Sequence, residues 1–244
     1  MNNFNTYWYV QSFLSKENCD KIIELGKSKT LKSAVTLGDD EKSDDSRVSQ
    51  SELTHQQLRD KNIDPKSTYV RDSKVSWIDE EWVYDLIVPK VREINKKAGW
   101  DYDIDVFESI QFTKYEAPGG FYGWHMDSGG DWHSVYKKYF PGLSPNVERP
   151  DGTLPGNWTK DQSIVGKVRK LSITINLSDE NDYDGGLLKF DCGQHTKKQF
   201  VECEEIKPRG SMIVFPSYTY HCVTPITRGT RYSLVLWCLG RPFK

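Results

Sequence analysis

Residues 171–177 constrain the fold more than any other stretch of this chain. Leu171, Ile173, Ile175 and Leu177 alternate with Ser172, Thr174 and Asn176. A period of two sorts these residues onto opposite faces of an extended strand, whereas a helix would mix them. Residues 232–237, Tyr-Ser-Leu-Val-Leu-Trp, form a second apolar strand candidate, and residues 104–112 a third with rougher alternation. Many short strands punctuated by Gly and Pro turns predict a mainly β sandwich or jelly roll. With 244 residues the chain is long enough to bury a real core, and β-rich chains of this size commonly form one unit.

The first hundred residues read as an α/β support for that core. Residues 7–10, Tyr-Trp-Tyr-Val, make a short strand candidate. Ser15 can cap a helix whose apolar residues recur at helical spacing and which Gly26 can end. A second helix is expected from about Glu80 to Ala98, with Trp82, Leu86, Val91 and Ile94 as its apolar stripe and Pro89 as a kink or break. Between the helices, residues 38–46 are charged and poor in apolar side chains, which predicts a mobile loop. The expected organisation is therefore a single domain over 1–244, with a support over 1–100 and a jelly-roll core over 101–244 carrying a long insertion at 128–167.

Composition excludes several classes. A net charge of −2 gives no electrostatic case for nucleic acid. No apolar run approaches the ~18 residues needed to cross a bilayer, and the first residues lack the basic and apolar regions of a secretory signal. Five cysteines without paired spacing point to reduced thiols and a cytoplasmic setting. Cys222 is read as a small apolar filler in a strand.

The chemistry begins at His125-Met126-Asp127. Far downstream comes His221, and ten residues after it Arg231-Tyr232-Ser233. In an extended strand His125 and Asp127 would project to one face. Two imidazoles and one carboxylate can occupy one face of a metal and leave the other open, which suits an Fe(II) that must bind an oxidant and a co-substrate together. The arginine offers a planar fork for a carboxylate. His-x-Asp by itself is a short pattern that recurs by chance, so its surroundings must carry the reading. Of the remaining histidines, His133 and His195 lack this spacing, and His55 sits in a polar stretch that reads as surface.

Those surroundings run through Gln111-Phe112-Thr113-Lys114-Tyr115, Gly120-Phe121-Tyr122-Gly123-Trp124-His125-Met126-Asp127, residues 169–177, residues 185–190, residues 208–216 and Gly229-Thr230-Arg231-Tyr232-Ser233-Leu234-Val235-Leu236-Trp237. Upstream, residues 71–78 (Arg-Asp-Ser-Lys-Val-Ser-Trp-Ile) extend the series. In order and identity these segments resemble the Fe(II)- and 2-oxoglutarate-dependent dioxygenases, and within them the prolyl 4-hydroxylase-like branch.

The resemblance implies a double-stranded β-helix, a form of jelly roll, with flanking helices. It implies Fe(II) held by His125, Asp127 and His221, and 2-oxoglutarate held through its distal carboxylate by Arg231, with Ser233 and Tyr115 as hydroxyl donors and Tyr122 as the alternate donor. It implies O2 as the oxidant, ascorbate as an optional auxiliary, and oxidative decarboxylation to succinate and CO2 coupled to hydroxylation. Many collagen-type prolyl hydroxylases carry lysine where Arg231 stands; the arginine is closer to oxygen-sensing prolyl hydroxylases and bacterial PKHD-type proteins. The expected substrate is a prolyl residue in a peptide or protein. The alternatives are a free amino acid, lipid or nucleobase, or a catalytically silent jelly roll that binds a partner. Oligomeric state is not readable.

The insertion at 128–167 leaves the chain directly after Asp127 and contains several Gly/Pro joints and the aromatics Trp132, Tyr136, Tyr139, Phe140 and Trp158. Long loops in compact domains are usually functional or disordered, and aromatic content argues against simple disorder. We read it as a substrate-covering element. Trp124 and Trp237 are expected to pack in the core, and Trp132 remains a candidate for the pocket.

Overall fold

A computed structural model describes residues 6–34, 71–130, 132–141, 154, 157–193 and 199–243. Two antiparallel sheets form the body. The larger runs in the order β1 (Trp8–Val10), β14 (Met212–Pro216), β10 (Val168–Asn176), β16 (Ile226–Gly240), β6 (Ile110–Glu116), β4 (Lys74–Ile78) and β2 (Lys32–Ser33). Two short strands, β5 (Val106–Phe107) and β11 (Tyr183–Gly185), also pair with β16. The smaller sheet runs β13 (Phe200–Glu202), β12 (Leu188–Asp191), β15 (His221–Val223), β7 (Phe121–His125) and β3 (Arg71–Asp72). Within the insertion, β8 (Lys137–Lys138) and β9 (Trp158–Thr159) pair in parallel.

The alternation of residues 171–177 is realised in β10, but both of its faces are buried. Leu171, Ile173, Ile175 and Leu177 join Phe112, Leu234 and Leu236 in one cluster. Helices α1 (Lys16–Ser28) and α2 (Glu81–Lys97) cover that cluster with Ile22, Val83, Ile87, Val91 and Ile94. Full burial of each such side chain is worth about 1.5–3 kcal/mol. The support and the core therefore share one apolar interior. The polar set faces the smaller sheet instead of solvent: Ser172, Asn176 and Thr113 are each 0% exposed, and Arg231 and Ser233 are 1% exposed. A sandwich whose interior is lined this way encloses a polar chamber between its sheets.

Several local expectations change. Ser15 caps α1 as expected, its Oγ accepting from the backbone N of Asn18 at 3.2 Å. Gly26 does not end the helix, which continues to Ser28. It is a packing residue, since a Cβ there would lie 2.3 Å from Phe112 Cγ. Pro89 lies inside α2 without dividing it. Trp82 is exposed, and the buried stripe begins at Val83 instead. The strand expected over 104–112 divides into β5 and β6, with Glu108 between them. Residues 38–46, His55 and His195 lie outside the described residues.

Candidate active site

His125 ends β7 and faces His221 directly across the β7–β15 ladder. Between the pairs His221–His125 and Val223–Tyr122, two residues of β7, Gly123 and Trp124, stand against one of β15, Cys222, a β-bulge. The bulge turns Tyr122 and His125 toward one another, and their rings stack at 3.6 Å with 18° between planes. Asp127 is not in the strand. It lies in the bend that follows, where its backbone N and that of Ser128 both donate to Ser217 O at 3.0 Å. The His-x-Asp spacing thus works through a tethered turn; strand alternation does not supply it.

His125, Asp127 and His221 bring one donor atom each to within 4.8 Å of one another. His125 Nε2 is 3.5 Å from Asp127 Oδ1, and His221 Nε2 is 3.8 Å from Asp127 Oδ2. Each imidazole has its other nitrogen on a backbone carbonyl: His125 Nδ1 on Gly123 O at 2.7 Å, and His221 Nδ1 on Thr219 O at 2.9 Å. A carbonyl only accepts, so Nδ1 donates in each ring and Nε2 is the nitrogen left toward the Asp127 carboxylate. Burial, reinforced by the neighbouring His125, pushes the His221 pKa down to about 4, which keeps this imidazole neutral at neutral pH. Burial opposes ionisation of Asp127. His125 beside it, then His221 and Arg169, outweigh burial and hold the carboxyl well below the usual range. Ser172 Oγ donates to Asp127 Oδ2 at 2.6 Å and lies 2.9 Å from Ser217 Oγ, which fixes the carboxylate plane. Two imidazole nitrogens and a carboxylate oxygen, with no thiolate among them, fit a borderline divalent cation such as Fe(II).

The same chamber holds Arg231, Ser233, Tyr115 and Tyr122. Register places Arg231 opposite Tyr115 and Ser233 opposite Thr113 on β6. Among the described residues no carboxylate pairs with Arg231, and its Nε is buried without a hydrogen-bond partner. Gly186 stands against the arginine stem, where a Cβ would lie 3.1 Å from Arg231 Cδ. A buried, unpaired guanidinium is costly unless an anion completes it. An anionic ligand entering the chamber would complete it.

Other residues at this site carry no spacing signal in the sequence. Arg169 is held bidentately by Glu108, Nε to Oε1 at 2.7 Å and Nη2 to Oε2 at 2.6 Å. Its guanidinium lies 3.8 Å from the centroid of the Trp237 ring. Trp237 lines the chamber, and its buried Nε1 has no hydrogen-bond partner among the described residues. Tyr136, from the insertion, donates to Glu108 Oε1 at 3.0 Å. Arg71, from β3, places its guanidinium 4.5 Å from the centroid of the Tyr122 ring. Ser172 could have been found from its place on the polar side of β10; Arg169 could not, because a register shift between Arg169 and Leu171 interrupts the alternation. Trp124 packs away from the chamber, against Phe200 and Tyr220. His133 lies on a 3-10 turn outside the His-Asp-His cluster. In the described parts of the insertion, Tyr136, Tyr139 and Lys137 are tied by backbone hydrogen bonds to Lys167, Thr159 and Asn157, so these stretches dock as structure. The remainder of the insertion, and the Trp132 ring, lie outside the described residues.

The sequence profile of the 2OG-Fe(II) oxygenase superfamily matches residues 110–239, and the chain belongs to that superfamily. Among curated relatives, a PKHD-type hydroxylase of Synechococcus sp. (strain CC9605) is 44% identical over 92 residues, covering 37% of this chain and 39% of the relative. The PKHD-type hydroxylase YbiX of Escherichia coli is 42% identical over 69 residues, covering 28% of this chain and 27% of its own. The chain therefore matches well under half the length of either relative. Among solved structures, a viral collagen prolyl hydroxylase of Paramecium bursaria Chlorella virus-1, in complex with 2-oxoglutarate, aligns with a TM-score of 0.53 at 18% identity over 97% of both chains. A prolyl hydroxylase of Trichoplax adhaerens, in complex with a hypoxia inducible factor peptide fragment, aligns with a TM-score of 0.55 at 17% identity over 97% of this chain and 84% of that one. These likenesses agree with the double-stranded β-helix. The family is one of Fe(II)- and 2-oxoglutarate-dependent oxygenases. No helix among the described residues is long and apolar enough to cross a membrane.

Proposed function

We propose that the protein hydroxylates prolyl residues in a peptide or protein, releasing succinate and CO2. The observation that carries the 2-oxoglutarate site is Arg231, a 1%-exposed cation with no carboxylate paired to it among the described residues, in the same chamber as two histidines and an aspartate. His125, Asp127 and His221 would hold the Fe(II), which when bound couples O2 activation to decarboxylation of 2-oxoglutarate. Arg231 would grip the distal carboxylate of 2-oxoglutarate through two parallel N–H donors. Ser233 shares the Arg231 face of β16 and adds a hydroxyl. Tyr115, opposite Arg231, is the better-placed phenol; Tyr122 is stacked on His125 at the metal end. Ser172 holds the Asp127 carboxylate in orientation.

The prolyl assignment draws on the prolyl hydroxylase folds that this chain resembles and on the unpartnered Trp237 Nε1–H, which would donate to a substrate carbonyl beside the reacting carbon. The test is succinate release with Fe(II) and 2-oxoglutarate, alone and with Pro-containing peptides, followed by mass spectrometry for one added oxygen. Oxygen on a proline supports the reading. Peptide-independent turnover, with no peptide accepted but oxidation of an amino acid, lipid or nucleobase, replaces the substrate and keeps the chemistry. No turnover and no 2-oxoglutarate binding would make the chamber a silent binding site.

A further inference from the structure

The chain that leaves β16 returns to the metal site. We propose that Phe243 is a positioning residue, whose ring clamps the turn over 127–130 to the turn over 217–220 and so sets the spacing of Asp127 and His221. This rests on the reading of His125, Asp127 and His221 as metal ligands.

Three neighbours of the ring, Gly130, Tyr218 and Lys170, belong to segments that carry or support a ligand, and a fourth, Tyr102, is joined to Tyr218. Gly130, three residues after Asp127, has φ +74°, and a Cβ there would lie 2.7 Å from both Cδ2 and Cε2 of Phe243. Only glycine lets the turn lie flat under the ring. Tyr218, three residues before His221, meets the ring edge-on at 6.1 Å. Tyr102 meets it edge-on at 5.1 Å, and its hydroxyl is 2.9 Å from that of Tyr218. Lys170, two residues before the Ser172 that holds Asp127, places its ammonium 3.4 Å from the ring centroid. That lysine is 4% exposed, and a desolvated cation over an aromatic face binds more strongly than one in water.

The backbone alone does not secure this arrangement. Asp127 N and Ser128 N share a single acceptor, Ser217 O, and beyond them the 127–130 turn is Gly129-Gly130. Ser217 N in turn donates to Lys170 O. The ring closes the open side of this junction. Phe243 is itself 41% exposed, so its removal uncovers little apolar core. Its effect should therefore fall on ligand geometry more than on global stability.

The experiment titrates the metal-free full chain with Mn(II), following binding by calorimetry or electron paramagnetic resonance, with Asp127→Ala as the non-binding control. Phe243→Ala should weaken Mn(II) by about tenfold, at the low end of what supporting groups around metal ligands contribute. Its melting transition without metal should stay close to that of the parent, and Phe243→Tyr should restore affinity. Lys170→Met should weaken Mn(II) by a smaller factor, and it replaces Phe243→Ala as the test if the latter does not fold. Hydrogen exchange in the metal-free protein should accelerate at 127–130 and 217–220 in both variants. Parent-like Mn(II) affinity and exchange in Phe243→Ala overturns the proposal. A loss of global stability matching the loss of affinity, unrescued by tyrosine, overturns it too. If the parent binds no Mn(II), the metal reading fails, and exchange at the two turns alone decides the clamp.

Discussion

One strand, β16, presents two environments. Leu234 and Leu236 point into the helix-covered cluster, while Arg231, Ser233 and Trp237 point between the sheets. Both sets are at most 6% exposed, so burial does not distinguish them. The difference lies in what burial does. On the helix side it removes apolar surface from water and stabilises the fold. On the chamber side it strands polar groups, leaving Arg231 Nε and Trp237 Nε1 unpartnered. A side chain buried at a cost to stability and left unsatisfied marks the place where a ligand completes the structure.

Changes at the chamber should therefore separate activity from stability, and changes on the helix side should do the reverse. The largest effect is expected at Asp127. Asp127→Ala should abolish turnover and metal binding, because no neighbouring carboxylate on the described residues completes the His125–His221 pair. Succinate assays with metal titration check this, and full activity would remove the metal assignment. Leu236→Ala should cost about 2–5 kcal/mol of stability by opening a cavity between β16 and the helices. Denaturant unfolding measures it, while the 2-oxoglutarate affinity of the folded fraction should remain that of the parent. A Leu236→Ala protein of parental stability would mean that the helices are not part of one cooperative core.

Arg231→Ala should show the opposite pattern. Loss of a charge-assisted contact is worth about 1.5–3 kcal/mol, which corresponds to roughly a tenfold to hundredfold weaker 2-oxoglutarate site. Stability without ligand should hold or rise, since an unpaired buried charge has been removed. Isothermal titration and thermal melts on the same sample read both quantities. Unchanged 2-oxoglutarate dependence would shift the role to another basic residue, such as Arg228 or Arg241.

These contrasts also explain how much was legible beforehand. The alternation of residues 171–177 was visible because strand period is a local property of the sequence. Which face would meet solvent was not, because a second sheet built from residues far away in the chain decides it. His125 and Asp127 were found as a pair, yet Asp127 reaches the site through a turn held by Ser217, a contact between residues ninety apart in sequence. Gly26 looked like a helix stop and is a contact surface for Phe112, since only the tertiary partner reveals why a side chain is excluded. The same holds for Trp82, whose spacing fits the stripe as well as that of Val83 until the sheet is in place. Glu108 and Arg169 carried no signal because their pairing depends on a break between β5 and β6 that the rough alternation of residues 104–112 conceals.

The smallest effect expected is at Ser233, and it tests the comparison most finely. Ser233 sits one residue from Leu234 on the same strand, is equally buried, and shares the Arg231 face. Ser233→Ala removes one hydroxyl and almost no volume. A neutral hydrogen bond contributes about 0.5–1.5 kcal/mol, so 2-oxoglutarate binding should weaken by a few-fold, well short of the Arg231→Ala effect. Unfolding in denaturant should be unchanged or slightly more favourable to the folded state, since a buried polar group has been replaced by an apolar one. The double variant with Arg231→Ala should show less than the sum of the two losses, because the serine has no carboxylate to bind once the arginine no longer holds it. Strict additivity in 2-oxoglutarate affinity would mean that Ser233 acts outside the carboxylate site, and that the chamber side of β16 has no single ligand-binding end.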